Sequence, residues 1–349
     1  MLSLTTVTQR DVAAACNVHP STICLALKNA PSIPVETRLR IQRTAARMGY
    51  APNAAARNLA FLRTEKNHAG GSLPLAWLNQ EPQRDFWRSD PDAYRIFTAA
   101  KTRAARLGYA LTDIWVAEPG LRLERLSQIL EARGIEGVVF PVARIFDRRL
   151  MQPVWASFAT VALGDYRAGA WLDVVCADYY YNLELALTSL GERGFKRVGL
   201  LLDQRFDDAS GGLTRSCYLG DQAERSESQR VPPCRIEAGP AAAEKVLAWW
   251  ARYQPDAVVC GGRFASATAI TSLPEAVRMV GLQSGDEMVD GVDDRSELVA
   301  TSAIDRLAAK VQGREKRFGA DTQRSLVKGH WCGGSPLPEH GEVLFAVAN

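Results

Sequence analysis

The chain holds little of the material that hydrolysis, phosphoryl transfer or metal chemistry needs. Its four histidines (His19, His68, His330, His340) stand apart from one another. Its seven cysteines (Cys16, Cys24, Cys176, Cys217, Cys234, Cys260, Cys332) are scattered singly, with no Cys-x-x-Cys pair and no metal-ligand spacing. No Gly-x-Ser-x-Gly elbow, Gly-x-x-x-x-Gly-Lys phosphate loop, Gly-x-Gly-x-x-Gly run or His-Glu-x-x-His run occurs. An odd, dispersed cysteine set fits reduced thiols used as small apolar fillers better than a disulfide framework. These residues predict no enzyme, no cofactor and no metal. What they leave is a charge asymmetry. Residues 1–66 carry nine Lys and Arg against three acidic side chains, a net +6, while the other 283 residues carry 33 against 36, a net −3. A basic head on a mildly acidic body points to a polyanion partner for the head alone. The same six charges could also merely solubilise a small helical domain.

The side chains that could read a polyanion are the small polar residues that open a predicted second helix, and a run of short helices is predicted to position them. Thr8 with Asp11 caps a helix over 9–15, with Val12 and Ala13 inward. Cys16-Asn17-Val18 breaks it, Asn17 being able to take the left-handed conformation of a tight turn. A second helix has His19 at its cap and Pro20 in its first turn, and runs to Lys28, packing through Ile23 and Leu27. Pro31 to Pro34 is a rigid connector. The third helix, Val35 to Met48, is expected to turn Leu39, Ile41, Ala45 and Met48 inward and Arg40, Arg43 and Arg47 outward, with Gly49 and Pro52 ending it. Two helices joined by a short turn, the second opening with small polar residues, form the helix-turn-helix arrangement that presents a helix N-terminus to base edges in the major groove. The Ala-rich segment 53–61, with Asn53 as N-cap, is shorter than the roughly 12–15 residues at which an isolated helix becomes marginal in water. It is expected to be helical only when docked; a plain linker is the alternative.

The run from Val7 to Ala60 resembles the DNA-binding head of LacI/GalR-type bacterial transcription regulators. The shared features are Val7-Thr8, Asp11-Val12-Ala13, Val18, Ser21-Thr22-Ile23, Ala26-Leu27, Glu36-Thr37-Arg38, Gly49-Tyr50, Pro52-Asn53 and Ala56-Arg57-Asn58-Leu59. The resemblance implies a homodimer whose recognition helices read two half-sites of a pseudopalindromic operator in double-stranded DNA. It also implies a hinge helix with Leu59 wedged into the central minor groove, a role suited to an exposed leucine on a nascent basic helix. His19 stands where the family often has Ser or Thr, Asn17 replaces the usual turn glycine, and Leu25 occupies a place where many members carry Arg. An Arg there could fork onto guanine, whereas Leu can touch only a thymine methyl or face the backbone. Base contacts are therefore expected from Pro20, Ser21 and Leu25, and phosphate contacts from Thr22, Lys28, Asn53 and Arg57.

From Leu73 onward apolar runs alternate with amphipathic stretches. Strands are predicted at 73–78, 110–116, 137–141, 160–165, 197–203, 257–262 and 278–283, and helices at 93–107, 121–133, 179–193, 241–252 and 296–312. The alternation predicts parallel sheets with helices on both faces. The expected architecture is an all-α helix-turn-helix head (1–52), a hinge helix (53–62), a linker (63–72) and an α/β core (73–349). The core resembles the periplasmic-binding-protein-like core of the same family, with two doubly wound subdomains placed at about 73–168 with 295–320 and about 169–294 with 321–349. The resemblance implies three chain crossings between them, with helix 296–312 returning to the first and strand 322–331 ending in the second.

It also implies a small-molecule effector, a sugar or sugar derivative, in the cleft, with Arg215 on the loop after strand 197–203 as the ligand-binding arginine, and Asp294, ahead of helix 296–312, and Gln283 as further effector-binding candidates. A surface salt bridge is the plain alternative for Arg215. Gln283 stands where the family usually delivers an Asp to a sugar, and Gly262-Arg263 replaces its Asn-Asp pair. Gly261-Gly262 could cradle a phosphate or form a tight strand–helix turn, and of Trp249-Trp250 one is expected buried and one half-exposed. No window of about 18 apolar residues is present, as a membrane helix needs. No basic stretch followed by an apolar core opens the chain, so no secretory signal and a cytoplasmic location are expected. The competing reading is a cytoplasmic sugar-binding or sugar-modifying α/β protein whose head makes only protein contacts.

Overall fold

The computed structural model describes residues 7–27, 33–48, 50, 72–142, 148–274, 276–283, 290–319 and 321–333. The expected hinge 53–62, with Asn53, Arg57 and Leu59, lies outside them, as do Lys28 and the linker up to Gly71. The chain divides after Gly71 into two compact units.

In the first unit, α1 (Gln9–Cys16) opens with a reciprocal capping box: Thr8 Oγ1 accepts the Asp11 N–H while the Asp11 carboxylate accepts the Thr8 N–H at 2.7 Å. Asn17, left-handed at φ 50°, ends the helix. Helices α2 (Pro20–Leu27) and α3 (Val35–Arg47) follow. Val12, Ala13, Cys16, Ile23, Ala26, Ile41 and Ala45 close a small core. Leu39 departs from expectation and is 46% exposed. It precedes Ile41 by two residues, about 200° around a helix, so the two cannot share a face. Ile41 and Ala45, four apart, take the core. Arg40 is exposed as expected but donates to the Cys16 carbonyl at 3.3 Å, satisfying an otherwise open end of α1.

The second unit contains two sheets. Its chain runs β1 (Leu73–Asn79), α4 (Phe86–Ser89), α5 (Pro91–Arg106), β2 (Tyr109–Trp115), α6 (Leu123–Ala132), β3 (Gly137–Pro141), β4 (Ala159–Leu163) and β5 (Asp173–Ala177). It continues through α7 (Tyr179–Glu192), β6 (Val198–Asp203), α8 (Gln204–Ala209), α9 (Leu213–Glu224), β7 (Cys234–Ile236), α10 (Ala242–Tyr253), β8 (Ala257–Gly261), α11 (Arg263–Ser272), β9 (Arg278–Gly281) and β10 (Gly291–Asp293). Helix α12 (Ser296–Gly313) and strands β11 (Arg324–Val327) and β12 (His330–Cys332) complete it. The first sheet has the order β2-β1-β3-β4-β5-β11, all parallel; the second has the order β7-β6-β8-β9-β10-β12, parallel except for the β10–β12 pair. Both sheets are packed on two faces. Leu75 and Trp77 of β1 join the cluster of α5 and α12, and Ala76 and Leu78 join that of α6, Trp155 and Phe158. In the second sheet Leu200 and Leu202 pack on α7, and Leu201 packs on α10 and α11. Strands buried on both faces read as apolar runs without alternation, as these do.

The chain crosses between the sheets three times: after β5, after β10 and between β11 and β12. The expected subdomain limits shift accordingly. Asp173–Ala177, assigned by sequence to the second subdomain, is a buried strand of the first sheet, so the first crossing falls at Asp178 rather than near 166–173. The expected strand 322–331 is two strands. Arg324–Val327 pairs with β5 in the first sheet and only His330–Cys332 belongs to the second, because the chain leaves one sheet for the other at Lys328-Gly329. Helix α12 returns to the first half, burying Val299, Ala303, Ile304 and Leu307 there. Strands β5, β7 and β10 were not foreseen; each has five residues or fewer.

Candidate functional site

The head presents one face of α2. Ile23 and Ala26 turn inward, while Ser21 and Leu25, four apart and so on one side of the helix, turn outward, Leu25 being 40% exposed. Pro20 and Thr22 flank them half-buried. The helix is capped by an imidazole: His19 Nδ1 accepts the Ser21 N–H at 3.3 Å and lies 2.8 Å from Ser21 Oγ. This replaces the usual Ser or Thr cap. The Ser21 hydroxyl, exposed at the start of α2, can both donate and accept toward an outside partner. From α3, Gln42 Nε2 donates to the Ala26 carbonyl at 3.1 Å, fixing the far end of α2, and Arg43 and Arg47 are exposed.

The second unit has a cleft of about 1200 Å³ between its sheets. Its walls are the carboxyl ends of the strands: Asn79 to Glu81 after β1, Pro141 after β3, Gly164 after β4, Asp203 and Gln204 at β6, Gly262 after β8, Gln283 after β9 and Asp294 after β10. Open doubly wound sheets bind ligands at those ends, where the strand order reverses. Trp87 forms part of the wall, its Nε1 donating to Asp113 at 3.1 Å and its ring packed on Phe97 at 4.4 Å. Burial pushes the Asp113 carboxyl above its ordinary value, and the hydrogen bond from Trp87 pulls it back. Phe206 and Phe264 contribute apolar surface from the other side.

Gly261 and Gly262 form the tight strand–helix turn. A Cβ on Gly262 (φ +99°) would fall 1.9 Å from the Asp203 carboxylate, so only glycine admits that side chain. Asp203 accepts the N–H of Phe206 at 2.7 Å, and the N–H groups of Phe264 and Ala265 also hydrogen-bond its carboxylate. One buried carboxylate thus caps α8 and α11 together. Burial raises its pKa, and those N–H groups oppose the rise. The helix end that a phosphate might have used already has its anion.

Among the described residues two ion pairs span the cleft. Arg263 of α11 reaches Asp92 at 2.9 Å and Asp90 at 3.9 Å, at the start of α5. Arg167, which grips Asp165 through two hydrogen bonds of 3.0 and 2.7 Å, stands 3.9 Å from Asp208 of α8. Gln283 and Asp294 line the cleft, and Asp294 also accepts from Ser296 Oγ at 2.7 Å. Arg215 does not line it. It lies in the first turn of α9 rather than on a loop, with its Nε 3.4 Å from Asp207, which Arg235 also approaches at 3.1 Å. The residues that sequence reasoning missed are Trp87, Arg167 and the two glutamines Gln80 and Gln204, none of which sits in a motif. Trp249 is buried with its Nε1 on the Pro232 carbonyl, and Trp250 is half-buried.

Comparison with proteins of known structure places this architecture. The CelR transcriptional regulator in complex with cellobiose matches 93% of this chain and 98% of its own, with a TM-score of 0.56 and 18% identity. The lac repressor dimer bound to operator and the anti-inducer ONPF matches 94% of this chain and 98% of its own, with a TM-score of 0.56 and 16% identity. The fold is that of lactose-repressor-type regulators. In sequence, the chain is 26% identical over 158 residues to the HTH-type transcriptional regulator MalR of Streptococcus pneumoniae, a match spanning 45% of each chain. The match thus covers less than half of the relative's length. No family model matches the chain. Among the described residues no helix is long and apolar enough to cross a membrane.

Proposed function

We propose that this chain is a sequence-specific DNA-binding transcription regulator, a dimeric repressor of a pseudopalindromic operator, modulated by a small molecule held in the cleft. The observation that carries the proposal is the pairing, in one chain, of a basic three-helix head whose α2 turns Ser21 and Leu25 outward with an α/β unit whose cleft takes both walls from strand ends. In this reading Pro20, Ser21 and Leu25 meet base edges and Thr22, Lys28, Asn53 and Arg57 meet phosphates, with Leu59 entering the minor groove. The effector is a sugar or sugar derivative. Gln80 Oε1 and Gln204 Oε1 are buried acceptors without a hydrogen-bond partner among the described residues, one from each half, and both residues line the cleft. Buried acceptors call for donors, which hydroxyl groups supply. The aromatic faces of Trp87 and Phe206 suit the apolar faces of a sugar ring.

Control of DNA binding follows if the ligand holds the two cleft walls more tightly in one arrangement than in another, since only differential affinity shifts an equilibrium. Catalysis is not part of the proposal. Of the carboxylates that line the cleft, Asp90, Asp92, Asp203, Asp208 and Asp294 are engaged in helix caps and ion pairs rather than poised as acid and base. The test is selection from random duplex DNA by the purified full chain, followed by sequencing of the retained fragments. One motif with two symmetric half-sites is expected. Fragments with no common motif, or no retention, would overturn the proposal.

A further inference from the structure

We propose that Asp293, His330 and Cys332 form a binding site for a thiophilic divalent transition-metal ion, of which zinc is the type, on the edge of the second sheet. Strands β10 and β12 pair antiparallel with Asp293 opposite His330. Cys332 lies two residues beyond His330, so the two-residue period of a strand puts all three side chains on one face of the ribbon. Their carboxylate, imidazole and thiol donor atoms lie within 4.8 Å of one another, with His330 Nε2 3.8 Å from Asp293 Oδ2. A tetrahedral ion with bonds of about 2.0–2.3 Å separates its ligand atoms by about 3.4–3.6 Å. Small rotamer changes close the set, and water takes the fourth position.

The donor mix selects the ion. Calcium and magnesium want oxygen alone, whereas thiolate with imidazole suits zinc and its neighbours. The surroundings are built for the purpose in three ways. The second carboxylate oxygen, Asp293 Oδ1, accepts the Arg295 N–H at 2.8 Å, an outer-shell bond that aims Oδ2 toward His330. On the opposite face of the ribbon, Trp331 lies under the Arg193 guanidinium at 4.7 Å, which fixes β12 in place. At the start of β12, Gly329 is required: a Cβ there would meet the Asp293 carbonyl oxygen at 2.6 Å, and its N–H donates to buried Asn182 at 2.8 Å. That close approach sets His330 against Asp293. Cys332 is exposed, whereas the thiols of Cys16, Cys176, Cys217, Cys234 and Cys260 are buried. The ligands come from two strands distant in sequence, which is why a search for metal-ligand spacing along the chain does not find them. Since Asp293 precedes the second chain crossing and His330 follows the third, a bound ion ties together two of the three segments that join the halves of the unit.

The test uses the full chain without an affinity tag, reduced and stripped of metal, titrated with cobalt(II) and then zinc(II). One equivalent of cobalt should give thiolate-to-cobalt charge-transfer absorption, which zinc removes by displacement. Cys332→Ser should abolish the absorption. His330→Ala and Asp293→Asn should each weaken cobalt binding beyond the roughly 10–100-fold that outer-shell partners alone carry. No absorption at one equivalent, the same absorption in Cys332→Ser, or absorption indifferent to both His330→Ala and Asp293→Asn would each overturn the proposal.

Discussion

The ion cluster that fastens α12 to the first sheet gives an asymmetric and measurable prediction. Lys310, 1% exposed, donates to the Thr160 carbonyl and to Asp173 Oδ2, each at 3.0 Å. Asp173 also accepts from Arg306 at 3.0 and 2.7 Å and from the Gln323 N–H at 3.0 Å. Asp173→Asn therefore strands a buried ammonium on a single carbonyl, a loss expected to cost about 3–5 kcal/mol. Lys310→Met leaves the carboxylate with Arg306 and Gln323 and orphans only the Thr160 carbonyl, costing about 1–3 kcal/mol. The double variant should resemble Lys310→Met alone, since removing the ammonium removes the orphaned charge, so the two costs should be far from additive. All eight tryptophans lie beyond residue 71. Urea unfolding followed by tryptophan fluorescence thus reports this unit without the head. The cluster also sets an acid limit. Burial alone would raise the Asp173 pKa, but the Gln323 N–H, Lys310 and Arg306 together hold it below the ordinary 3.8. A depressed folded-state pKa means stability that is full at neutral pH and is lost as pH falls below about 3.8 through the folded value. Additive costs, or a larger loss for Lys310→Met than for Asp173→Asn, would refute this account of the cluster.

The remaining predictions concern the two functional faces. Arg263→Ala removes the ion pair with Asp92; because Arg263 is 43% exposed, the loss is about 0.2–1 kcal/mol, which opens the cleft by roughly 1.4- to 5-fold in population. Small-angle scattering should show the shift, and added salt should move the wild type toward the variant. Ser21→Ala should weaken the best operator by about 1–3 kcal/mol with little change in non-specific binding. Leu25→Arg should draw the half-site toward guanine, and an unchanged half-site would mean that Leu25 does not face the bases. Arg215→Ala should leave effector affinity, read by calorimetry, within about twofold, because Arg235 still pairs Asp207 and such partly exposed pairs contribute about 0–1 kcal/mol. A tenfold loss would restore Arg215 to the ligand site.

The parts of the molecule that local chemistry determines were legible in the sequence. Thr8, Asp11 and Asn17 are helix punctuation whose physics acts within four residues, and the structure has them as read. The long strands of the core were legible because two-sided burial leaves unbroken apolar runs, and α5, α6, α7, α10 and α12 because they are amphipathic; α9 (Leu213–Glu224) and α11 (Arg263–Ser272) were not among the predicted helices. Leu39 was misplaced because apolar character was counted without its angle around the helix. Strand β5 was missed because its apolar run is only the four residues from Val174 to Ala177, set between Asp173 and Asp178, and its partner β11 is exposed over three of its four residues. Arg263 was read as the loss of a polar anchor, while the structure makes it a bridge to Asp92 across the cleft. Such pairings, like that of Asp293 with His330, depend on where two chain segments meet, and no local pattern encodes that.

The claim that matters most is that the head binds DNA and the rest of the chain does not. If each of two heads neutralises about four or five phosphates, the logarithm of affinity should fall against the logarithm of salt with a slope of roughly −7 to −9. A fragment beginning at Leu73 lacks the basic head and should retain no affinity. The decisive measurement is a salt-dependent binding titration on one operator-bearing duplex with both proteins. A steep slope for the full chain and no binding by the fragment is the predicted result; binding by the fragment, or a full-chain slope near zero, would contradict it.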